Sequence, residues 1–398
     1  MIRSNRLSLL GTGVFARNDR RKNAYRSFSE KSGALPLLDL SLGSSDLEPP
    51  KKVVQCIQNA MFDSASFAYC LHSGTRPFRE AVACWAKKRF DVRVDPDREV
   101  LLLVGSQEGT AHFPMSVLNP GDRGLILDPS YPSHRAGLLL ADAFIQRLSL
   151  RAEDNWRPSF HTLSNAQLEQ LSIMVFGFPH NPIAQVGKQS WLDEAMAIGV
   201  RNDVIVAHDN PYVDLALEGE APALLRTEGW RELGIEFFSF SKAWCMGGLR
   251  IAFAIGGEPL ISALRDLKGA IDFNQSVALQ AGAVSAISEA EDWPNYVRAI
   301  YRKRRDKTLG ALQTLGWDVP TPTMSLYLWM PLPLWAKQKG IDDETLAFEV
   351  LQNTGVALTP GSGFGPGGKE WLRLALVRPV DELEAAISRM KLWWHEQS

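Results

Sequence analysis

The sequence predicts an α/β protein, with a mostly parallel sheet flanked by helices over about residues 50–285 and a smaller α+β unit after it. Three observations predict this. Short apolar runs alternate with amphipathic stretches through most of the chain. That alternation then gives way to one long charged helical segment, followed by strand, glycine-rich loop, strand and helix. Finally, 398 residues with 45% hydrophobic content are enough for a large core divided between domains. The expected division is 1–48 as an N-terminal arm and the start of the small domain, 49–287 as the large domain, and 288–398 as a small C-terminal α+β domain.

The N-terminal stretch MIRSNRLSLLGTGVFARNDRR has a basic start and a short apolar middle, a faint likeness to a targeting segment. Gly11, Thr12 and Gly13 interrupt the apolar part, so an ordered N-terminal arm is the expectation. TRPFREAVACWAKKRF spaces its apolar residues along one helical face and ends in a DPDRE turn. EVLLLVG, GLILDP, LSIMVFGF, DVIVAHD and IEFFSF are short apolar runs that read as buried strands. The amphipathic QSWLDEAMAIGVRN lies between two of them. Beyond them come the helical DWPNYVRAIYRKRRDKTLGALQTLG, strand-like SLYLWMPL, the loop TPGSGFGPGGKE and the strand WLRLALV. In the final helix Leu383, Ala386, Ile387, Met390 and Trp394 share a face.

A formal net charge of −2 with no basic block argues against a nucleic-acid partner and leaves a small molecule as the expected one. No run reaches the roughly 18 to 20 apolar residues that span a bilayer, so no membrane role is expected. Cys56, Cys70, Cys84 and Cys245 form no C-x-x-C pair and are sparse, which suits a reducing, cytoplasmic setting. His112, His134, His180 and His208 fit no metal-ligand spacing and read as structural, or as supporting the residues of a site from behind, so no metal is expected. Trp329, Trp335, Trp393 and Trp394 read as packing residues.

In open α/β sheets ligands gather beyond the carboxyl ends of the strands, and the informative residues fall there. Ser106 and Gln107 follow LLLVG and open a helix whose free N–H groups suit a phosphate, although a serine there is ordinarily the N-cap. Asn181 follows LSIMVFGF, Asp209 closes DVIVAHD shortly before Tyr212, and Lys242 follows IEFFSF with Arg250 beyond it. Singly, each has an ordinary reading as cap, turn or solvated surface group. Their succession at one strand end after another points to a single site.

The block SFSKAWCMGGLRIAFAIG resembles the lysine signature of the fold-type I, pyridoxal-phosphate-dependent aminotransferases of class I and II. The likeness covers nearly the whole chain, through LDLSLGSSDLEPP, FAYCLHSGTRPFREAV, VGSQEGTAHFPMSVLNPGD, DPSYPSHRAG, FPHNPIAQVG, HDNPYVDL and GFGPGGKEWLRLALV. GSQEGTAH, NPGD and DPSYP are most similar to the LL-diaminopimelate aminotransferase branch. The resemblance implies pyridoxal phosphate as cofactor, bound in the large domain, and a homodimer with shared active sites. It implies Lys242 as the amine that forms a Schiff base with the cofactor and later moves a proton as general base and acid. Asp209 would sit beside the pyridine nitrogen, and Tyr212 and Asn181 would hydrogen-bond the phenolic oxygen. Tyr131 would stack on the ring. Ser106, Gln107, Ser239 and Arg250 would hold the phosphate, with Tyr69 reaching across from a second subunit. Arg373 would grip the substrate α-carboxylate, with Asn181 and the Gly43 backbone beside it.

The activity so implied is ping-pong transfer of an amino group from an L-amino acid to a 2-oxo acid such as 2-oxoglutarate. A lyase of the β- or γ-elimination type is the rival on the same fold. A ligand-sensing domain of a transcription regulator is the remoter one, and the stretch before LGSSDL is too short for a DNA-binding unit and linker. The sequence departs from the family pattern at three places. Asn181-Pro182-Ile183-Ala184 stands for Asn-Pro-Thr-Gly, Ala252 for a glycine, and Gln107 for the branch's lysine. Phe15, Tyr327 and the 359–368 loop are the candidates for closing over the donor side chain, which leaves dibasic-acid, aromatic and small aliphatic donors open.

Overall fold

Seven strands build the central sheet of the computed structural model, which describes residues 2, 4–70, 73–272, 275–324 and 326–396. They are β1 (Val100–Leu103), β2 (Arg123–Asp128), β3 (Phe144–Ser149), β4 (Ile173–Phe176), β5 (Ile205–Asp209), β6 (Gly234–Ser239) and β7 (Ala252–Gly256). Their order is β1-β7-β6-β5-β4-β2-β3; β7 runs antiparallel to both neighbours and every other pairing is parallel. The mostly parallel sheet is therefore as expected. The apolar-run reading had not named β3 or β7. FIQRLS of β3 lies at the sheet edge, where most of its side chains keep contact with water, so it lacks the apolar run of an interior strand.

Both faces of the interior strands are covered, which is why these strands are apolar throughout rather than alternating. Leu101, Leu103, Ile126, Ile235 and Phe237 face one core, shared with Phe113 of the helix Ser106–Val117 and Leu260, Ile261 and Leu264 of the helix Glu258–Ile271. Val100, Leu102, Phe238 and Phe253 face the other way, onto Phe78, Val82 and Ala86 of the helix Arg76–Phe90. Leu125, Leu127, Met174 and Phe176 meet Trp191, Leu192 and Ala195 of the helix Gln189–Asn202. Successive residues of one strand thus enter different cores, as the two-residue period requires.

The helix Trp293–Thr314 leads into a second, three-stranded antiparallel sheet, made of β8 (Tyr327–Pro331), β9 (Thr359–Pro360) and β10 (Trp371–Ala375) in the order β9-β10-β8. Leu38–Asp39 pairs in parallel with Val356–Ala357, so the chain's beginning joins its C-terminal unit. Ahead of Leu38–Asp39 lie the helices Asn5–Leu10 and Val14–Ser32. Lys22 of the longer one is buried and pairs with Asp39 at 2.8 Å. In the final helix, Val380–Trp394, the predicted face of Leu383, Ala386, Ile387, Met390 and Trp394 is buried.

Candidate active site

The carboxyl ends of β1, β2, β4, β5 and β6 open onto one cavity of about 380 Å³, whose far wall comes from β8, β10 and the segment around Gly43. Ser106, Gln107, Tyr131, Asn181, Asp209, Tyr212, Ser239, Lys242, Arg250, Arg373 and Gly43 all line it. Tyr69 does not. It is 82% exposed, in a stretch where Met61, Phe62 and Phe67 are exposed as well.

The helix Ser106–Val117 starts at the cavity, and its cap is Gly105, which has no side chain to occupy the first N–H groups. Ser106 is therefore the first helical residue and not the N-cap, so its hydroxyl is not engaged in capping. Gly105 adopts a left-handed φ of 83°, and a Cβ on it would overlap the Arg250 guanidinium. The arginine lies flush on the start of the helix for that reason. Arg250 itself holds a left-handed φ of 53°, a strained conformation for a non-glycine residue at the site. Ser239 closes β6, and its Oγ accepts from the Ser241 N–H at 3.1 Å.

Lys242 Nζ donates to the Gly43 carbonyl at 2.7 Å and stands 5.8 Å from the centre of the Tyr212 ring. Asp209 is buried, and its Oδ2 meets His134 Nε2 at 3.2 Å, while Oδ1 has no hydrogen-bond partner among the described residues. Tyr131 sends its hydroxyl to Gln107 Oε1 at 3.1 Å, and burial, followed by Tyr327 and Asp209, pushes its phenol up to about 12.

Arg373 lies on the central strand of the small sheet and is almost wholly buried. Its Nη1 donates to Asn181 Oδ1 and its Nη2 to the Ser41 carbonyl, both at 2.8 Å, and its Nε has no partner among the described residues. The rings of Phe15, Tyr327 and Phe364 surround its guanidinium at 5.5, 4.3 and 4.7 Å. The 359–368 loop carries Phe364 and docks on the end of β2, where the Gly367 N–H donates to Asp128 Oδ1 at 3.0 Å and the Ser130 N–H to the Phe364 carbonyl at 2.9 Å.

Beneath the cavity floor a buried polar network sets the end of β5. His208 Nδ1 and Glu236 Oε1 are 2.7 Å apart with both side chains fully buried, and Asn210 Nδ2 and the Leu225 N–H also donate to Glu236. Asp209 is held between two members of this network. His180 is pushed down to about 3 by burial, then by His134, and stays neutral, in keeping with a structural role. Ala184, which replaces the family's usual glycine, has φ 61° in the region that favours glycine.

Sequence reasoning missed His134 as the partner of Asp209, Ser41 as an acceptor for Arg373, and Glu236 as a buried charge. The His in DPSYPSH, just beyond a strand end, was the available signal for the first, and a glutamate inside the apolar run IEFFSF for the last.

The cavity fits pyridoxal phosphate on three observations. The uncapped helix start with Arg250 pressed against it offers donors and charge to a phosphate. The open Oδ1 of buried Asp209 awaits a donor such as a protonated ring nitrogen. Lys242 lines the same cavity and offers it an amine.

Comparison with known proteins agrees. The family model described as aminotransferase class I and II matches residues 36–390. An LL-diaminopimelate aminotransferase of Dehalococcoides mccartyi is 35% identical over 355 residues, 89% of this chain and 90% of its own. One from Oleidesulfovibrio alaskensis is 33% identical over 389 residues, 97% of this chain and 98% of its own. The solved structure of a probable N-succinyldiaminopimelate aminotransferase from Thermus thermophilus superposes with a TM-score of 0.87 at 35% identity, covering 95% of this chain and 99% of that one. These relatives are named for transamination, not for elimination.

Proposed function

The chain belongs to the class I and II aminotransferase family, a pyridoxal-phosphate-dependent transaminase, and on that premise we propose that its amino donor is LL-diaminopimelate or a closely related L-amino acid, with a 2-oxo acid such as 2-oxoglutarate as acceptor. The donor identity rests on the relatives' names, and the observation that carries an amino-acid and oxo-acid pair is Arg373. A buried guanidinium whose hydrogen-bond partners are an amide oxygen and a backbone carbonyl has no counter-charge among the described residues, and a substrate α-carboxylate is the bidentate anion that suits it.

Bound pyridoxal phosphate supplies the carbonyl that takes up the amino group and a ring that delocalises the electron pair left at the substrate Cα. We assign Lys242 as the amine that carries it. The Lys242 amine would move a proton to and from the substrate Cα, and the Gly43 carbonyl would give its ammonium an acceptor. Asp209 holds a proton on the ring nitrogen and is oriented by His134. Burial raises the Tyr212 phenol well above its ordinary value, so Tyr212 keeps its proton and donates it, with Asn181, to the cofactor's phenolic oxygen. Ser106, Gln107, Ser239 and Arg250 would hold the phosphate, and Tyr131 would lie against the ring. Phe15 and Phe364 shield Arg373 from water, which strengthens its hold on a carboxylate.

The proposed assembly is a homodimer. A second copy covering Met61, Phe62 and Phe67 would remove exposed apolar surface from water and bring Tyr69 to a neighbouring site. The proposed location is the cytoplasm, supported by four free cysteines. No helix among the described residues is long and apolar enough to cross a membrane.

The test is a set of single half-reactions, in which holoprotein is mixed separately with LL-diaminopimelate, glutamate, and aromatic and methionine-like donors. Rapid conversion of the visible cofactor band to the amine form by LL-diaminopimelate is expected. Conversion only by another donor overturns the donor assignment, and ammonia release without an acceptor overturns transamination. Borohydride is expected to fix the cofactor to the parent protein and not to Lys242→Ala.

A further inference from the structure

We propose that Tyr327 is a positioning residue that aims the Tyr212 proton into the cavity and steadies Arg373, coupling the carboxylate end of the site to its cofactor end. The proposal rests on the roles assigned above to Tyr212 and Arg373.

The argument starts from hydrogen-bond directions. Arg373 Nη1 donates to Asn181 Oδ1, which orients that amide so that Nδ2 faces Tyr212 and donates to its oxygen at 3.3 Å. The Tyr327 hydroxyl lies 3.1 Å from the same Tyr212 oxygen. Either hydroxyl can donate across that pair, and the proposed arrangement has Tyr327 as the donor; with Asn181 donating as well, the acceptor positions of the Tyr212 oxygen are filled, and its single proton is left the direction of the cavity. Without the Tyr327 hydroxyl, Tyr212 can turn its proton elsewhere.

Two further contacts hold Tyr327 in place. Its ring meets that of Tyr212 at 78° with centroids 6.1 Å apart, and the Arg373 guanidinium lies 4.3 Å from its ring centre. A side chain on Gly43 would overlap the Tyr327 hydroxyl, so the phenol is pressed against the residue whose carbonyl receives Lys242. Burial raises the Tyr327 phenol, but Lys242, Arg373 and the Tyr212 hydrogen bond outweigh it and bring it below its ordinary value. Burial, followed by Tyr327, lifts Tyr212 well above its own.

Tyr327→Phe removes the hydroxyl and keeps the ring; Tyr327→Leu removes both. The main readout is a pH titration of the visible cofactor band in the parent, Tyr327→Phe and Tyr212→Phe proteins, all as holoenzymes. A weaker donor toward the cofactor's phenolic oxygen leaves more negative charge there and holds the nearby proton to higher pH. Tyr327→Phe is therefore expected to move the midpoint upward, in the same direction as Tyr212→Phe and by less. The donor KM should stay within about twofold in Tyr327→Phe while kcat falls, and rise about tenfold in Tyr327→Leu, where the cation–π contact is lost.

A midpoint that moves in Tyr212→Phe and stays unchanged in Tyr327→Phe overturns the proposal and leaves Tyr212 where it is. A midpoint that moves in neither overturns the Tyr212 assignment, and this proposal with it. Thermal melts of the apo-proteins, expected to be alike for the parent and the Phe variant, separate these outcomes from a folding defect.

Discussion

A guanidinium buried among an amide, a carbonyl and three aromatic rings is costly unless an anion completes it, and Arg373 is such a residue. Replacing it by alanine should raise the KM of donor and oxo acid about 100-fold, near 3 kcal/mol, while the cofactor content of the purified protein stays normal. Steady-state kinetics and absorbance of the same preparation check this, and loss of cofactor would place Arg373 in the wrong role. At this scale Lys242, Asp209 and Asn181 were legible because each is a polar residue at or just beyond the end of an apolar run. His134 was read only as a structural or supporting histidine, and Tyr327 only as a candidate for closing over the donor side chain. They act on residues 75 and 115 positions away in the chain, and nothing in their immediate neighbours marks that.

The helix Ser106–Val117 shows how one element makes a binding surface from backbone alone. Its cap is a glycine, its first residues Ser106 and Gln107 line the cavity, and Arg250 can lie on it only because residue 105 has no Cβ. Glu108 and the buried Lys268, 3.0 Å apart, tie this helix to the helix Glu258–Ile271 and fix where its N-terminus points. Gly105→Ala should weaken pyridoxal phosphate binding by about tenfold or more, because it adds a Cβ to a left-handed residue and displaces the arginine. Titrating apo-protein with cofactor measures it, and an unchanged affinity would mean that Arg250 does not contact the phosphate. The sequence showed the helix and its anion site, with Ser106 as N-cap the ordinary alternative to a phosphate-binding role. The structure shows the helix beginning one residue earlier than that reading implied, since φ at Gly105 is open only to a residue free to turn left-handed.

Across the whole molecule, the sheet order β1-β7-β6-β5-β4-β2-β3 brings strand ends from residues 103 to 239 to one cavity, and β8 and β10 close it from the other unit. The exposed stretch with Phe62 and Phe67 is the proposed contact with a second copy. Sedimentation should find a species of twice the 44.2 kDa chain mass, and Phe62→Glu with Phe67→Glu should shift it toward monomer and lower activity. A parent that sediments as an active monomer would overturn the shared site. The sequence by itself determined the α/β class, the strands with both faces buried, and the set of chemical groups at their ends. Those are properties of side-chain period and of residue type at an element's boundary, and both are local. The tertiary structure decided which groups touch: His134 on Asp209, Tyr327 between Tyr212 and Arg373, and Glu236 beneath the floor. It also put Ala184 in a glycine's conformation. These depend on which strands become neighbours, and contacts between residues distant in the chain leave no period for a local pattern to reveal.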